Sequence, residues 1–117
     1  MILCVVDDLM FSTKISAAAK AVQAAVAFER APQMVLERVR RERPALVIFD
    51  LNSARLKPLE SIAALKADPE LHNTPTLGYV SHVDSDVIEA ARHAGCDEVL
   101  ARSAFSQKLP EILTRSL

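Results

Sequence analysis

Continuous apolar runs, each followed by a segment of helical periodicity, constrain this chain more than any other feature. LCVV (residues 3–6), ALVIF (45–49) and TLGYV (76–80) do not alternate with polar residues. A strand that is apolar on both sides must be covered on both faces, the situation of a parallel sheet between helical layers. The spacing predicts a strand over Met1 to Val6, then a helix capped by Ser12 or Thr13 that carries Ile15, Ala18, Ala19 and Val22. A second brief run, Ala25 to Phe28, precedes a helix opened by Pro32, with Val35, Leu36 and Val39 on one side and Glu37, Arg38, Arg40 and Arg41 on the other. Strand Ala45 to Phe49, a helix from Pro58 to Lys66 and strand Thr76 to Val80 follow. Asp84 or Ser85 then caps a helix that stops at Gly95, Glu98 to Ala101 forms a fifth strand, and Leu109, Ile112 and Leu113 line a last helix.

Strands alternating with helices imply right-handed crossovers and a doubly wound α/β sheet with helices on both faces. The 117 residues suit a single domain, 1–117, with one continuous core. Half the residues are apolar, a quarter are charged and the net charge is −1, so the basic surface that nucleic-acid binding requires is missing. The apolar runs are far short of a membrane span, and MILCVVDD is no secretion leader; a cytoplasmic, unprocessed chain is the expectation. Cys4 and Cys96 lack metal-ligand spacing and read as reduced, buried thiols.

In a doubly wound sheet, ligands bind beyond the carboxyl ends of the strands, where the winding reverses. The first and third strands end on Asp7-Asp8 and Asp50. At about 5 Å, each pair of like charges costs about 3 kcal/mol with an effective dielectric near 20. Either one carboxyl has a raised pKa or a hard cation such as Mg2+ is held among the oxygens. Taken singly, each Asp also suits a turn or a helix cap. The fourth strand is followed by Ser81 and the fifth by Arg102, so an attackable carboxylate, a hydroxyl and a cation share one edge, the equipment for phosphoryl transfer onto Asp50.

With these residues the chain resembles the response-regulator receiver domain of two-component signalling, over nearly its whole length. The resemblance implies a flavodoxin-like five-stranded sheet of order 2-1-3-4-5. It implies that Asp7 and Asp8 are an acidic pair for Mg2+, that Asp50 is the phosphoacceptor of a histidine kinase or phosphotransfer protein, and that the backbone carbonyl of Asn52 ligates the metal. A downstream protein target would read the signal, with no direct contact to nucleic acid or membrane. The family dimerises and binds partners through its fourth helix, fifth strand and fifth helix, the region of Val87, Ile88, Val99, Phe105 and Leu109 here.

Other positions depart from the family. Its Thr/Ser position falls on Val80 or, with a shift of one residue, on Ser81. Arg102 replaces the usual Lys, Ser103 the usual Pro, and Val99 the usual aromatic switch residue. Arginine can fork onto a phosphate or pair directly with Asp50 before any phosphate arrives. Two readings therefore stand: a phosphorylatable receiver, and a pseudo-receiver that binds proteins without using phosphate. A flavodoxin-type enzyme is disfavoured by DDLMFST after the first strand, two glycines and no tryptophan.

Smaller features carry expectations of their own. His82 either edges the pocket or is an exposed loop residue, and His93 complements a helix dipole. Arg38, Arg40, Arg41 and Arg43 read as a solvated face. Gly78 inside a strand signals close approach by a helix or by backbone.

Overall fold

The computed structural model describes residues 1–81 and 84–115; His82 lies outside the described residues. Strands β1 (Ile2–Val5), β2 (Val26–Phe28), β3 (Leu46–Asp50), β4 (Thr76–Val80) and β5 (Glu98–Ala101) alternate with helices α1 (Leu9–Ala21), α2 (Val35–Glu42), α3 (Pro58–Ala67), α4 (Ser85–Ala94) and α5 (Arg102–Thr114). All strand pairs are parallel, and the order is β2-β1-β3-β4-β5, as the resemblance implied.

The apolar runs are continuous because successive side chains serve two cores. Ile2, Cys4, Ile48, Leu77 and Tyr79 pack beneath α1 and α5 with Phe11, Ile15, Phe105 and Leu109. Leu3, Val5, Val47, Phe49 and Val80 pack on the other face beneath α2, α3 and α4 with Val39, Ile62, Leu65 and Ala91. Phe105 and Leu109 are therefore core residues, whereas Val87, Ile88 and Val99 are only partly buried. Cys4 and Cys96 are free and buried, and burial pushes the Cys4 thiol up to about 12, which keeps it protonated and inert.

Helix boundaries follow their caps. α1 starts earlier than Ser12 or Thr13 would allow, because the Asp8 side chain accepts the Phe11 N–H at 3.2 Å. Thr13 instead donates to the Leu9 carbonyl inside the helix. Asp84 caps α4, and Gly95 ends it at φ 104°. The arginine run of α2 is not simply a solvated face. Arg38 bonds Glu42 at 2.9 Å and the Phe28 carbonyl at 2.7 Å, tying α2 to the end of β2. Among the described residues no helix is long and apolar enough to cross a membrane.

Candidate functional site

Asp7 and Asp8 follow β1, Asp50 is the last residue of β3, Ser81 follows β4, and Arg102 is the first residue of α5. The register aligns Val5 with Phe49, Asp50 with Tyr79 and Val80 with Ala101, so these positions share the carboxyl edge of the sheet.

An arginine engages each acid after β1. Arg55 donates from Nε to Asp7 Oδ2 at 2.7 Å, and Ser53 Oγ donates to Asp7 Oδ1 at 3.4 Å. Arg102 donates to Asp8 Oδ2 at 2.9 Å, while Asp8 Oδ1 is the cap of α1. Arg102 thus pairs with Asp8 and not with Asp50, and its guanidinium lies 4.5 Å from the Phe11 ring centre, where cation–π attraction holds it. Arg55 was not marked by the sequence reading; its signal is a cation in the turn after β3, at the edge that already holds three acids.

Asp50 is half-buried, and its Oδ1 accepts the Asn52 N–H at 3.0 Å. Asn52 also uses its side-chain oxygen to accept the Ser81 N–H, which joins the turn after β3 to the end of β4. Burial raises the Asp50 carboxyl above its ordinary range. The Asn52 N–H and the Arg102 charge oppose the shift, and Asp7 and Asp8 add to it.

Beneath these groups Tyr79 stacks on Phe105 and packs against the tilted ring of Phe11, each with ring centres 4.8 Å away. Its hydroxyl is buried without a hydrogen-bond partner among the described residues. Burial, reinforced by the Asp50 charge, holds the phenol far above its ordinary pKa. A buried, unbonded hydroxyl opposes folding, so Tyr79→Phe is expected to gain up to about 1 kcal/mol. A higher urea midpoint at unchanged slope would show it; a lower midpoint would mean that the hydroxyl has a stabilising partner.

Among the described residues no three His, Cys, Asp or Glu side chains gather closely enough to hold a metal ion. Carboxylate oxygens are the right donors for Mg2+. Both oxygens of Asp7 and both of Asp8, however, are occupied by donors of the chain itself. In this arrangement the acid pair does not fit a bound Mg2+.

No family model matches the sequence, and no curated protein matches it. Solved structures do. A response regulator from Hahella chejuensis superposes with a TM-score of 0.87 at 19% identity, over 99% of this chain and 93% of that one. The Mn(2+)-bound form of response regulator Rcp1 gives 0.80 at 18% identity, covering 95% and 89%. The phosphorylated cyanobacterial phytochrome response regulator RcpA gives 0.80 at 24% identity, covering 97% and 88%. The chain has the receiver-domain fold.

Within the receiver fold, the end of β4 offers two positions for a hydroxyl. Val80 closes the strand with its side chain in the core, whereas Ser81 is exposed one residue later. Ser81 lines a groove of about 430 Å³ between the starts of α1 and α5, with Met10, Phe11, Lys14, Arg102, Ser103 and Ser106. Two cations and three hydroxyl groups thus line a groove at the carboxyl edge of the sheet. Among the described residues the peptide bonds are all trans, including the one before Ser103.

Proposed function

We propose that the chain is a receiver module that takes a phosphoryl group on Asp50 and passes the signal through protein contacts, working in the cytoplasm as a relay rather than as an enzyme. The observation that carries this reading is the division of charge at the sheet edge. Among the described residues, the salt bridges there go to Asp7 and Asp8, while Asp50 is bonded through a single oxygen to a backbone N–H. Its remaining oxygen is the available nucleophile. As that oxygen bonds to phosphorus, the P–N bond of a donor phosphohistidine or the P–O bond of acetyl phosphate breaks, and its electron pair leaves with the donor. Arg102 and Ser81, which line one groove at the same sheet edge, would take up the charge of the phosphoryl oxygens. The donor would be a histidine kinase or phosphotransfer protein and the reader a downstream protein, with a homodimer through α4, β5 and α5 as a further contact.

A second reading, a phosphate-independent binding module, is favoured by the ion pairs of Asp7 and Asp8, which neutralise the acidic edge with no ligand at all. Intact mass after incubation with acetyl phosphate, with and without Mg2+, separates the two. The expected result is one phosphoryl adduct on the wild type and none on Asp50→Asn. A folded wild type that remains unmodified under both conditions leaves the second reading.

A further inference from the structure

The acidic edge does not fit a metal because guanidinium groups already stand on it, and the two are not held alike. Arg102 is anchored by Asp8 and by the Phe11 ring, and its side chain is 35% exposed. Arg55 belongs to the short turn Ala54–Leu56, its side chain is 60% exposed, and it bridges Asp7 and the Arg30 carbonyl, the latter at 3.1 Å. Counted alone, Asp7, Asp8 and Asp50 against Arg55 and Arg102 carry one net negative charge. A divalent cation added to the intact set would reverse that sign and would have to share Asp7 with a guanidinium, although Mg2+ tolerates little departure from octahedral oxygen coordination at about 2.0–2.1 Å. Cation and Arg55 therefore exclude one another, and Arg55, the more exposed of the two, is the one that can leave.

We infer that Arg55 is a built-in rival of divalent cations: it occupies Asp7, neutralises the acidic edge in their place, and must swing out before a metal can bind. The inference deepens the proposed function and rests on the same site, but it concerns Asp7 and Asp8 and is read without any phosphodonor.

The test is a Mn2+ titration followed by solvent-water proton relaxation, with Mg2+ as competitor, on the wild type, Arg55→Gln and Lys108→Gln. The last removes one positive charge from an exposed position of α5 and controls for net charge. Arg55→Gln is expected to bind Mn2+ at least about tenfold more tightly than the other two. Millimolar Mg2+ should then raise the Tm of Arg55→Gln but leave that of the wild type nearly unchanged, since only a ligand that binds the folded state shifts stability. Equal affinity in all three proteins, whether strong or undetectable, overturns the inference. Metal affinity gained by Arg55→Gln without any Asp50 adduct would sink the phosphoacceptor reading and keep this one; an adduct with unchanged metal affinity would do the reverse.

Discussion

Asp97→Ala is expected to lower the unfolding free energy by about 3 kcal/mol, because one carboxylate oxygen serves the first residue of β4 and the end of α3 together. Asp97 Oδ2 accepts the Thr76 N–H at 2.9 Å, the Thr76 hydroxyl at 3.0 Å and Lys66 Nζ at 2.8 Å. The Asp97 N–H in turn donates to Thr76 Oγ1 at 3.0 Å. Asp97 immediately precedes β5, so its side chain extends the ladder between β4 and β5 by one rung. The Asp97 side chain is 52% exposed, and water screens its ion pair with Lys66, which supplies the smaller share. Thr76 is 1% exposed, and leaving its N–H and its hydroxyl proton without the acceptor in the interior supplies the larger.

The same network sets a pH dependence. Burial pushes the Asp97 carboxyl up, but the Lys66 and Thr76 donors outweigh it and hold the group below its ordinary range. A carboxyl whose pKa is lowered by folding adds stability that is present above the unfolded pKa of about 3.9 and is lost as pH falls through the folded value. Urea unfolding at a series of pH values should show a constant gap between wild type and Asp97→Ala from neutral pH down to about 4, narrowing below it by about 1 kcal/mol as the charge is lost. Asp97→Asn keeps an oxygen for Thr76 and loses only the ion pair, so it should cost about 1 kcal/mol. A gap that does not change in acid would mean that the charge on Asp97 contributes nothing.

The strands and their order could be read from the chain because a doubly covered parallel sheet writes itself as unbroken apolar runs. The edge positions of Asp7, Asp8, Asp50, Ser81 and Arg102 followed from where those runs stop. The partners of these side chains could not be read in the same way. The sequence allows Asp8 to be a cap or a pocket acid, and it caps α1 while also holding Arg102; one carboxylate has two oxygens and can do both. Arg55 reaches Asp7 only because the chain after β3 turns tightly, ending at Lys57 with φ 47°, and no periodicity encodes the path of such a turn. Tyr79 belongs to an apolar run in which alternation assigns the ring to a core but not the hydroxyl to a neighbour. Charges at strand ends were legible, in short, because strand ends are, whereas the pairing of those charges depends on loop geometry.

Gly78 shows the same limit, and it supplies the second large effect. The close approach its place in β4 signals comes from neither helix nor backbone. It comes from Leu51, whose Cδ1, Cγ and Cδ2 would lie 2.6, 2.7 and 2.9 Å from a Cβ at position 78. Leu51 is 6% exposed, and its N–H donates to the Tyr79 carbonyl at 3.0 Å, so the branched end of the side chain has little room to turn away. Gly78→Ala should therefore cost about 2 kcal/mol through overpacking. Leu51→Ala should cost about 3 kcal/mol through the cavity it opens. In the double variant the new methyl group occupies space that Leu51 vacates, so the combined loss should fall short of the sum by about 1–2 kcal/mol. Denaturant unfolding of the four proteins in this cycle measures the shortfall, and strictly additive losses would show that the two side chains do not compete for one space. Leu51 lies between Asp50 and Asn52, the pair joined by the hydrogen bond that fixes the carboxylate. A methyl group at position 78 would therefore press on the side chain that directly follows Asp50 in the chain.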